Sequence, residues 1–276
     1  MQRDYLDYLR EEKLPQMWCS GCSHGISLAA IARAMASLQL NPAETVVVTG
    51  IGCWGKADDY FRTHVFHGTH GRALSFATGI KVAKPRLKVL VLMGDGDGVT
   101  IGGNHFIHTA RRNIDVTAII ANNYNYGMTG GQYSASTPEG SVTTTSRFGT
   151  PEPGFDLCEL AKVSGATFVA RATPYHVTRL EQLLAEAIAH RGFSLVEIVS
   201  SCPTYFARYN HQVSAVEMMR LFKEKSLDAA KYNALPTEKR AGYILTGKLH
   251  QVEAEDFHSK YALLQKRAAK VLNREG

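Results

Sequence analysis

Long apolar runs are absent from this 276-residue chain. No stretch approaches the roughly 18 uninterrupted apolar residues that a membrane-spanning helix needs, so we expect no membrane partner. The first fifteen residues, MQRDYLDYLREEKLP, mix acidic with basic residues and contain no apolar core. Because a secretory signal requires such a core, we expect no signal peptide and a cytoplasmic protein.

The motifs of nucleic-acid-binding proteins are absent as well. The formal net charge is +6 and the pI is near 9, which alone would be compatible with a nucleic-acid ligand. However, the chain contains no helix-turn-helix, zinc-finger or aromatic-rich basic pattern. We therefore expect no nucleic-acid partner and interpret the basic residues near the C-terminus as a solvated or subunit-facing surface.

Cysteine is scarce, and its number is odd. The five cysteines are Cys19, Cys22, Cys53, Cys158 and Cys202. An odd number in a chain without an export signal argues against a disulfide framework. Metal binding or buried free thiols are therefore the options that the composition leaves open.

Five short β-branched runs predict strands. They are apolar at nearly every position, as expected for strands buried on both faces of a sheet. Apolar residues at helical spacing fill 24–38 and 176–190. Strands that alternate with helices predict an α/β fold, with a doubly wound, mostly parallel sheet and helices on both faces. The predicted strands are 45–50, 87–93, 116–122, 166–171 and 194–200.

One segment lacks any sustained period. Residues 124–154 are rich in Gly, Ser, Thr and Pro, and a loop of this length inside a compact domain is usually functional. We find no linker, repeat or second core. The sequence therefore predicts one main domain at 1–212 and a helical C-terminal extension at 213–276.

A glycine- and aspartate-rich turn follows the second predicted strand. It reads GDGDG at 94–98, and its glycines let backbone N–H groups approach a phosphate, to which a helix starting near Gly102 adds its positive end. Gly-Asp pairs are also common turn residues. A dinucleotide fingerprint would need a glycine where Val99 stands, and no Walker lysine follows.

A second motif makes a plain turn a poor explanation. Asn122 and Asn123 end the next predicted strand, so Asp95 and Asn123 should meet at the carboxyl edge of a parallel sheet. A carboxylate, an amide oxygen and a backbone carbonyl form a hard site that suits Mg²⁺ beside a phosphate. The pair resembles the GDG…NN signature of thiamine-diphosphate enzymes. That resemblance implies Asp95 and Asn123 as side-chain Mg²⁺ ligands and the main-chain carbonyl of Asn125 as a third.

The cysteines allow several explanations on their own. Cys19 and Cys22 form a CxxC, whereas Cys53 and Cys202 each follow a predicted strand at the same sheet edge. A structural zinc site normally uses two CxxC pairs, and a thioredoxin-like redox pair would use only the first two cysteines. A [4Fe–4S] cluster needs four thiolates, and inert buried thiols are common. From the residues alone, cluster and zinc are comparable.

The order of motifs along the chain carries a more specific resemblance. It reads WCSGC, GIGC, FHGTHGRALSFATG, GDGDG, IGGNHFIHTARRN, NNYNYGMTGGQ and SCPTYF. Over roughly residues 15–212 this series resembles the β subunits of 2-oxoacid:ferredoxin oxidoreductases. The resemblance implies a thiamine-diphosphate-binding fold of the diphosphate-binding type. It also implies one [4Fe–4S] cluster on Cys19, Cys22, Cys53 and Cys202, with Cys158 left as a core thiol.

The same resemblance implies further contacts with thiamine diphosphate. The matching positions are Ile51, Gly52, Cys53, Trp54, His70, Gly96, Asp97, Gly127 and Met128. Lys56 is a candidate partner for the carboxylate of an acidic substrate, although an ordinary loop lysine is an equally good explanation. His105 and His108 are spaced like a metal pair on a helix, but we expect packing or hydrogen bonding to the phosphate loop instead.

The family's activity becomes an expectation for this chain. It is the thiamine-dependent oxidative decarboxylation of a 2-oxoacid to an acyl-coenzyme A and CO₂. Electrons pass through the single cluster to ferredoxin, and the reaction is reversible in principle. Many relatives carry lysine where Gly130 stands, and the reading YGMTGGQ is more similar to the 2-oxoglutarate branch.

Half of the expected active site has no motif in this sequence. Thiamine activation requires a glutamate near the aminopyrimidine, which in the family belongs to a separate α subunit. We therefore expect a chain that is inactive alone and works in a heterotetramer, an αβ dimer of dimers. Two alternatives stay open: a non-redox thiamine-dependent decarboxylase subunit, and a zinc-stabilised scaffold without turnover.

Overall fold

The β-branched runs form strands in a computed structural model that describes residues 2–210 and 214–275. Each of the five predicted strands is present within two residues of its expected bounds. Within the described residues the sheet has eight strands, in the order β2-β1-β3-β4-β6-β5-β8-β7. All neighbours are parallel except β5 and β8. The strands are β1 (Thr45–Thr49), β2 (His64–His67), β3 (Lys88–Gly94), β4 (Thr117–Asn122), β5 (Phe168–Ala172), β6 (Ser194–Val199), β7 (Ser226–Asp228) and β8 (Ile244–Gln251).

Helices cover both faces of this sheet, as predicted. One core packs two helices, α1 and α5, against residues such as Val47 and Leu90. The other packs α2, α3 and α4 against Val46 and Val89, the next residues along the same strands. Successive strand residues point to opposite faces, so continuous apolar strands feed two cores at once. The helices are α1 (His24–Ser37), α2 (Ala73–Ala83), α3 (Gly103–Arg111), α4 (Leu157–Val163), α5 (Val177–Ala189), α6 (Phe206–Tyr209), α7 (Ala215–Lys225), α8 (Ala229–Ala234), α9 (Thr237–Arg240) and α10 (Phe257–Glu275).

The C-terminal part of the chain contains strands as well as the expected helices. β8 adds an antiparallel strand beside β5, and β7 pairs with β8. The sequence did not indicate β8 because its side chains are only half-buried and its apolar residues are interrupted by Gly247 and Lys248. β2 was missed for a related reason, since all four of its residues are exposed at the sheet edge. The boundary at 212/213 stays a prediction and falls beside residues 211–213, which lie outside the described residues.

The parallel register brings several strand ends to one edge. Gly94 pairs with Ala121, and Asn122 pairs with Val199. The segments that follow β1, β3, β4 and β6 therefore leave the sheet side by side. Residues 123–156 form no helix or strand, as the composition predicted. Among the helices that the structure describes, none combines the length and apolar character needed to cross a bilayer.

Candidate functional site

Asp95 lies directly after β3 and is fixed by its neighbours. Its carboxylate is buried. The hydroxyls of Ser134 and Ser136 donate to Oδ2 at 2.5 and 2.9 Å, and the N–H of Asn123 donates to Oδ1 at 3.3 Å. Burial raises the pKa of Asp95 to about 6, although these hydrogen bonds favour the charged form. One carboxylate oxygen is thus held by the long loop, and the other faces Asn123.

One atom of the Asn123 side-chain amide lies close to two oxygen atoms. This atom lies 2.9 Å from the carbonyl oxygen of Asn125 and 3.2 Å from Asp95 Oδ1. If it is nitrogen, it donates a hydrogen bond to each. If it is oxygen, three oxygens converge, and they need a cation between them. Adjacent ligands of an octahedral Mg²⁺ lie about 2.9 Å apart, because each Mg–O bond is roughly 2.0–2.1 Å. These three residues therefore fit a magnesium ion.

Asp97, two residues further on, ties two other loops to this edge. Its Oδ1 accepts hydrogen bonds from the N–H groups of Gly71 at 2.6 Å and Ile51 at 3.3 Å, and it pairs with His70 Nδ1 at 2.7 Å. Burial raises the pKa of the Asp97 carboxyl. A Cβ on Gly50 would collide with this carboxylate. The glycine therefore lets the loop after β1 pass close to Asp97.

A cavity that we call the strand-end pocket lies over these residues. The structure brings to it all nine positions for which thiamine-diphosphate contacts were predicted, together with the three proposed magnesium ligands. A Cβ on Gly96 would collide with the ring of Tyr126, so the chain here requires glycine. Sequence reasoning missed His24, Tyr126 and Thr129, which also line the pocket.

Four cysteines surround a neighbouring space, the four-cysteine cavity, of about 270 Å³. They are Cys19, Cys22, Cys53 and Cys202. Burial, with a smaller contribution from the neighbouring cysteines, raises the pKa of Cys22 to about 12 and that of Cys53 to about 11. The thiols are therefore close enough to repel one another as thiolates, and a positively charged group would relieve that repulsion.

The spacing of these sulfurs separates zinc from a larger group. Tetrahedral zinc, with Zn–S bonds of roughly 2.3 Å, holds its sulfurs about 3.8 Å apart. Of the four cysteines, all of which the structure describes, no three have Sγ atoms within 4.8 Å of one another. The sulfurs are therefore not arranged around a single zinc ion in this structure, and four thiolates are the number that a [4Fe–4S] cluster needs.

Cys158 lies apart from this cavity, on α4, and is buried. Its Sγ lies 3.2 Å from Glu197 Oε2, and with Asp156 these residues could hold a metal ion. However, the Arg171 guanidinium already contacts Glu197 at 2.7 Å and Asp156 at 2.6 Å. The guanidinium thus already pairs with both carboxylates, and we assign no metal here. Cys158 is a core thiol, in agreement with its expected role.

Hydrogen bonds connect Glu197 to Asp95 in the strand-end pocket. Asn122 Nδ2 donates to Glu197 Oε1 at 2.8 Å. In turn Asn122 Oδ1 accepts from the Ser136 hydroxyl at 2.9 Å, which is also hydrogen-bonded to Asp95. A buried chain of polar contacts therefore links β6 to Asp95, and it limits the directions in which that carboxylate can turn.

Other predicted residues lie outside both cavities. Lys56 is half-exposed on a short 3₁₀-helix and pairs with Asp59 at 3.3 Å, so its proposed contact with substrate stays a prediction. On α3, His108 Nδ1 accepts from the Arg111 side chain at 3.4 Å. His105 and His108 are not part of any cluster of potential metal ligands among the described residues.

Comparisons with known proteins agree with this geometry. Residues 50–198 match the family model described as thiamine pyrophosphate enzyme, C-terminal TPP binding domain. The chain is 50% identical to the 2-oxoglutarate synthase subunit KorB of Archaeoglobus fulgidus over 224 residues, 81% of this chain and 82% of that one. It is 41% identical to the subunit of the same name from Methanothermobacter marburgensis, over 98% of this chain and 95% of the relative.

A solved structure has the same fold. It is the 2-oxoglutarate:ferredoxin oxidoreductase from Magnetococcus marinus with 2-oxoglutarate, coenzyme A and succinyl-CoA bound. The TM-score is 0.85 at 30% identity, and the match covers 97% of this chain and 91% of the other. The predicted α/β architecture is confirmed, and the domain is of the type that binds thiamine diphosphate.

Proposed function

Because this chain belongs to the β subunits of the 2-oxoacid:ferredoxin oxidoreductases, we propose that it serves in the oxidative decarboxylation of 2-oxoglutarate. In this reaction 2-oxoglutarate and coenzyme A become succinyl-coenzyme A and CO₂. The two electrons released reduce two ferredoxins, one electron each, through one [4Fe–4S] cluster on Cys19, Cys22, Cys53 and Cys202. The reverse, reductive carboxylation, is allowed in principle.

One observation carries the proposal. The strand-end pocket and the four-cysteine cavity share a wall, because both are lined by His24, Cys53, Asn123, Gly127 and Met128. A Cβ on Gly127 would lie 3.5 Å from Cys53 Sγ and 3.8 Å from Cys202 Sγ. Groups bound on the two sides of this wall would be neighbours. Electrons released on one side could therefore reach the other directly.

The chain's own residues would bind and orient the cofactor. Asp95, Asn123 and the Asn125 carbonyl would hold Mg²⁺, whose positive charge would offset the negative charge of the diphosphate. The Asp97 carboxylate holds His70 through Nδ1 and leaves the other ring nitrogen available to the pocket. When bound, thiamine diphosphate supplies an electron sink at its thiazolium ring.

A partner chain completes the site in this proposal. Within the part of the chain that the structure describes, no glutamate lines the strand-end pocket, so the group that activates the cofactor must come from elsewhere. An α subunit is the expected source, and the β-subunit names of the relatives imply one. The αβ dimer of dimers, the ferredoxin partner and the cytoplasmic location stay predictions.

The choice of 2-oxoglutarate rests on two findings. Relatives that align over most of their length are named 2-oxoglutarate synthase subunits. In addition, Gly130 has φ +119°, a conformation that side chains other than glycine rarely adopt. The lysine that many family members carry there would require a different loop. This chain therefore presents a different surface at that point.

Anaerobic co-purification of the α and β chains provides the test. We expect ferredoxin reduction that depends on coenzyme A and is fastest with 2-oxoglutarate, with pyruvate and 2-oxoisovalerate as comparison substrates. Four irons and four sulfides per β chain should accompany it. An oxygen-protected preparation that reduces no ferredoxin with any of the three acids would overturn the proposal. Zinc instead of iron would favour the scaffold alternative, and metal-free decarboxylation would favour the non-redox one.

A further inference from the structure

His24 is the first residue of α1, and its side chain is almost completely buried in the shared wall. It lines both the strand-end pocket and the four-cysteine cavity. Its ring lies against two indoles, with centroids 5.5 Å from Trp18 and 5.0 Å from Trp54. This aromatic packing holds the imidazole in one orientation between the two cavities.

One of the two ring nitrogens of His24 lacks a hydrogen-bond partner. Nδ1 of His24 is buried and has no hydrogen-bond partner among the residues that the structure describes. Leaving such an atom without a partner destabilises a folded protein, so native structures rarely do it. A ring needed only to fill space would be replaced at no loss by phenylalanine. The unpartnered nitrogen therefore points to a bound group as its partner.

The four-cysteine cavity is the better location for that group. Of the buried polar side chains that line it, Ser201 is hydrogen-bonded to Gly21 and Ser23, and Asn123 belongs to the set around Asp95. His24 alone retains an unused nitrogen. Its backbone N–H lies close enough to the Cys22 thiol to lower the pKa of that thiol, so the main chain of His24 is beside the sulfurs.

We propose that His24 is a positioning residue whose imidazole donates a hydrogen bond to a sulfur of the cluster in the four-cysteine cavity and so raises its reduction potential. Hydrogen bonds to sulfur stabilise the more negative, reduced state of a cluster. Its place in the shared wall puts this donor on the side from which electrons would arrive. The inference rests on the proposed function, because it presupposes an iron–sulfur cluster.

Three variants of the anaerobic αβ enzyme test this role. His24→Phe keeps an aromatic ring and removes the donor, whereas His24→Gln keeps a donor. His190→Phe is the matched control, because His190 is also buried and packs on an aromatic ring, with its centroid 5.6 Å from that of Phe168, but lines neither cavity. The midpoint potential of the cluster is measured by redox titration followed by electron paramagnetic resonance, with iron content measured on each sample.

We expect a more negative midpoint for His24→Phe, a midpoint near that of the wild type for His24→Gln, and no change for His190→Phe. An iron-replete His24→Phe enzyme with an unchanged midpoint would overturn the inference. If that variant loses its iron, wild-type enzyme labelled with histidine that carries ¹⁵N only in the imidazole ring decides the matter. Pulsed resonance on its reduced cluster should then detect a weakly coupled histidine nitrogen, and failure to find one rejects the role.

The two levels of proposal fail in different ways. Wild-type enzyme without iron would refute the proposed cluster before any variant is made. Wild-type enzyme with a reducible cluster, combined with an unchanged midpoint in His24→Phe, would leave the proposed function standing and remove only the role of His24.

Discussion

The strand-end pocket and the four-cysteine cavity share a wall, but they are held together differently. In the pocket, Asp95 and Asp97 are each fixed by at least three hydrogen bonds from other segments. In the cavity, the cysteines come from three separate segments, and no three of their sulfurs are close together. The pocket is therefore preorganised by the protein, whereas the cavity depends on the group that fills it.

Loss of one cysteine of the four-cysteine cavity should have the largest effect and should separate the two regions. In Cys202→Ser, a thiolate of the cavity is replaced by a hydroxyl, and we expect iron and ferredoxin reduction to be lost almost completely. Thiamine diphosphate should still bind, because the pocket has its own hydrogen-bond network. Iron analysis and calorimetric titration with the cofactor measure the two halves separately. Cys158→Ala is the matched control, and its iron content should equal that of the wild type.

Removal of Asp95 should impair the strand-end pocket and leave the four-cysteine cavity intact. Asp95→Ala deletes the charged member of the oxygen set and would leave the proposed Mg²⁺ without its carboxylate. We expect the affinity for Mg²⁺ and thiamine diphosphate to fall by about 10²-fold or more, as for other lost partners of a buried charge. Iron content should not change. A parallel loss of iron would show that the two regions are not independent.

A smaller change tests how the pocket is preorganised. Ser136→Ala removes hydrogen bonds to both Asp95 and Asn122 and leaves the metal-facing oxygens in place. Affinity for Mg²⁺ and thiamine diphosphate should fall by about tenfold, the lower end of the effect of residues that support metal ligands. Excess Mg²⁺ should restore activity. In the same loop, Ser141→Ala should bind like the wild type, because its hydroxyl contacts neither side chain among the described hydrogen bonds.

The smallest expected effect concerns Lys56, which lies three residues after Cys53 but lines neither the strand-end pocket nor the four-cysteine cavity. If it recognises the distal carboxylate of the substrate, Lys56→Gln should raise the KM for 2-oxoglutarate a few-fold at constant kcat. The KM for pyruvate, which lacks that carboxylate, should not change. Loss of the exposed pair with Asp59 alone costs only about 0–1 kcal/mol of stability, so folding should be unaffected. An unchanged KM for 2-oxoglutarate would assign Lys56 to the surface, and an equal rise for both acids would reject recognition of the distal carboxylate.

Local features of the sequence were sufficient to predict the centre of the fold. The apolar runs at 87–93 and 116–122 are buried on both faces, so their composition identifies them as strands. Asp95 and Asn123 come directly after such strands, and the parallel rule places them together. Edge strands such as β2 and β8 have no comparable signal, because exposed or half-buried side chains are under weaker compositional constraint.

The sequence by itself predicted the alternating fold, the oxygen-bearing residues at the strand ends and, through the family resemblance, the four cysteines that the structure places around one cavity. Only the tertiary structure decided what surrounds them. Ser136 meets Asp95 across 41 positions, and His24 reaches both cavities because the start of α1 lies beside the ends of several strands. Such contacts depend on which loops leave the same edge of the sheet. Pairings of that kind follow from packing, whereas spacing along the chain carries no signal for them.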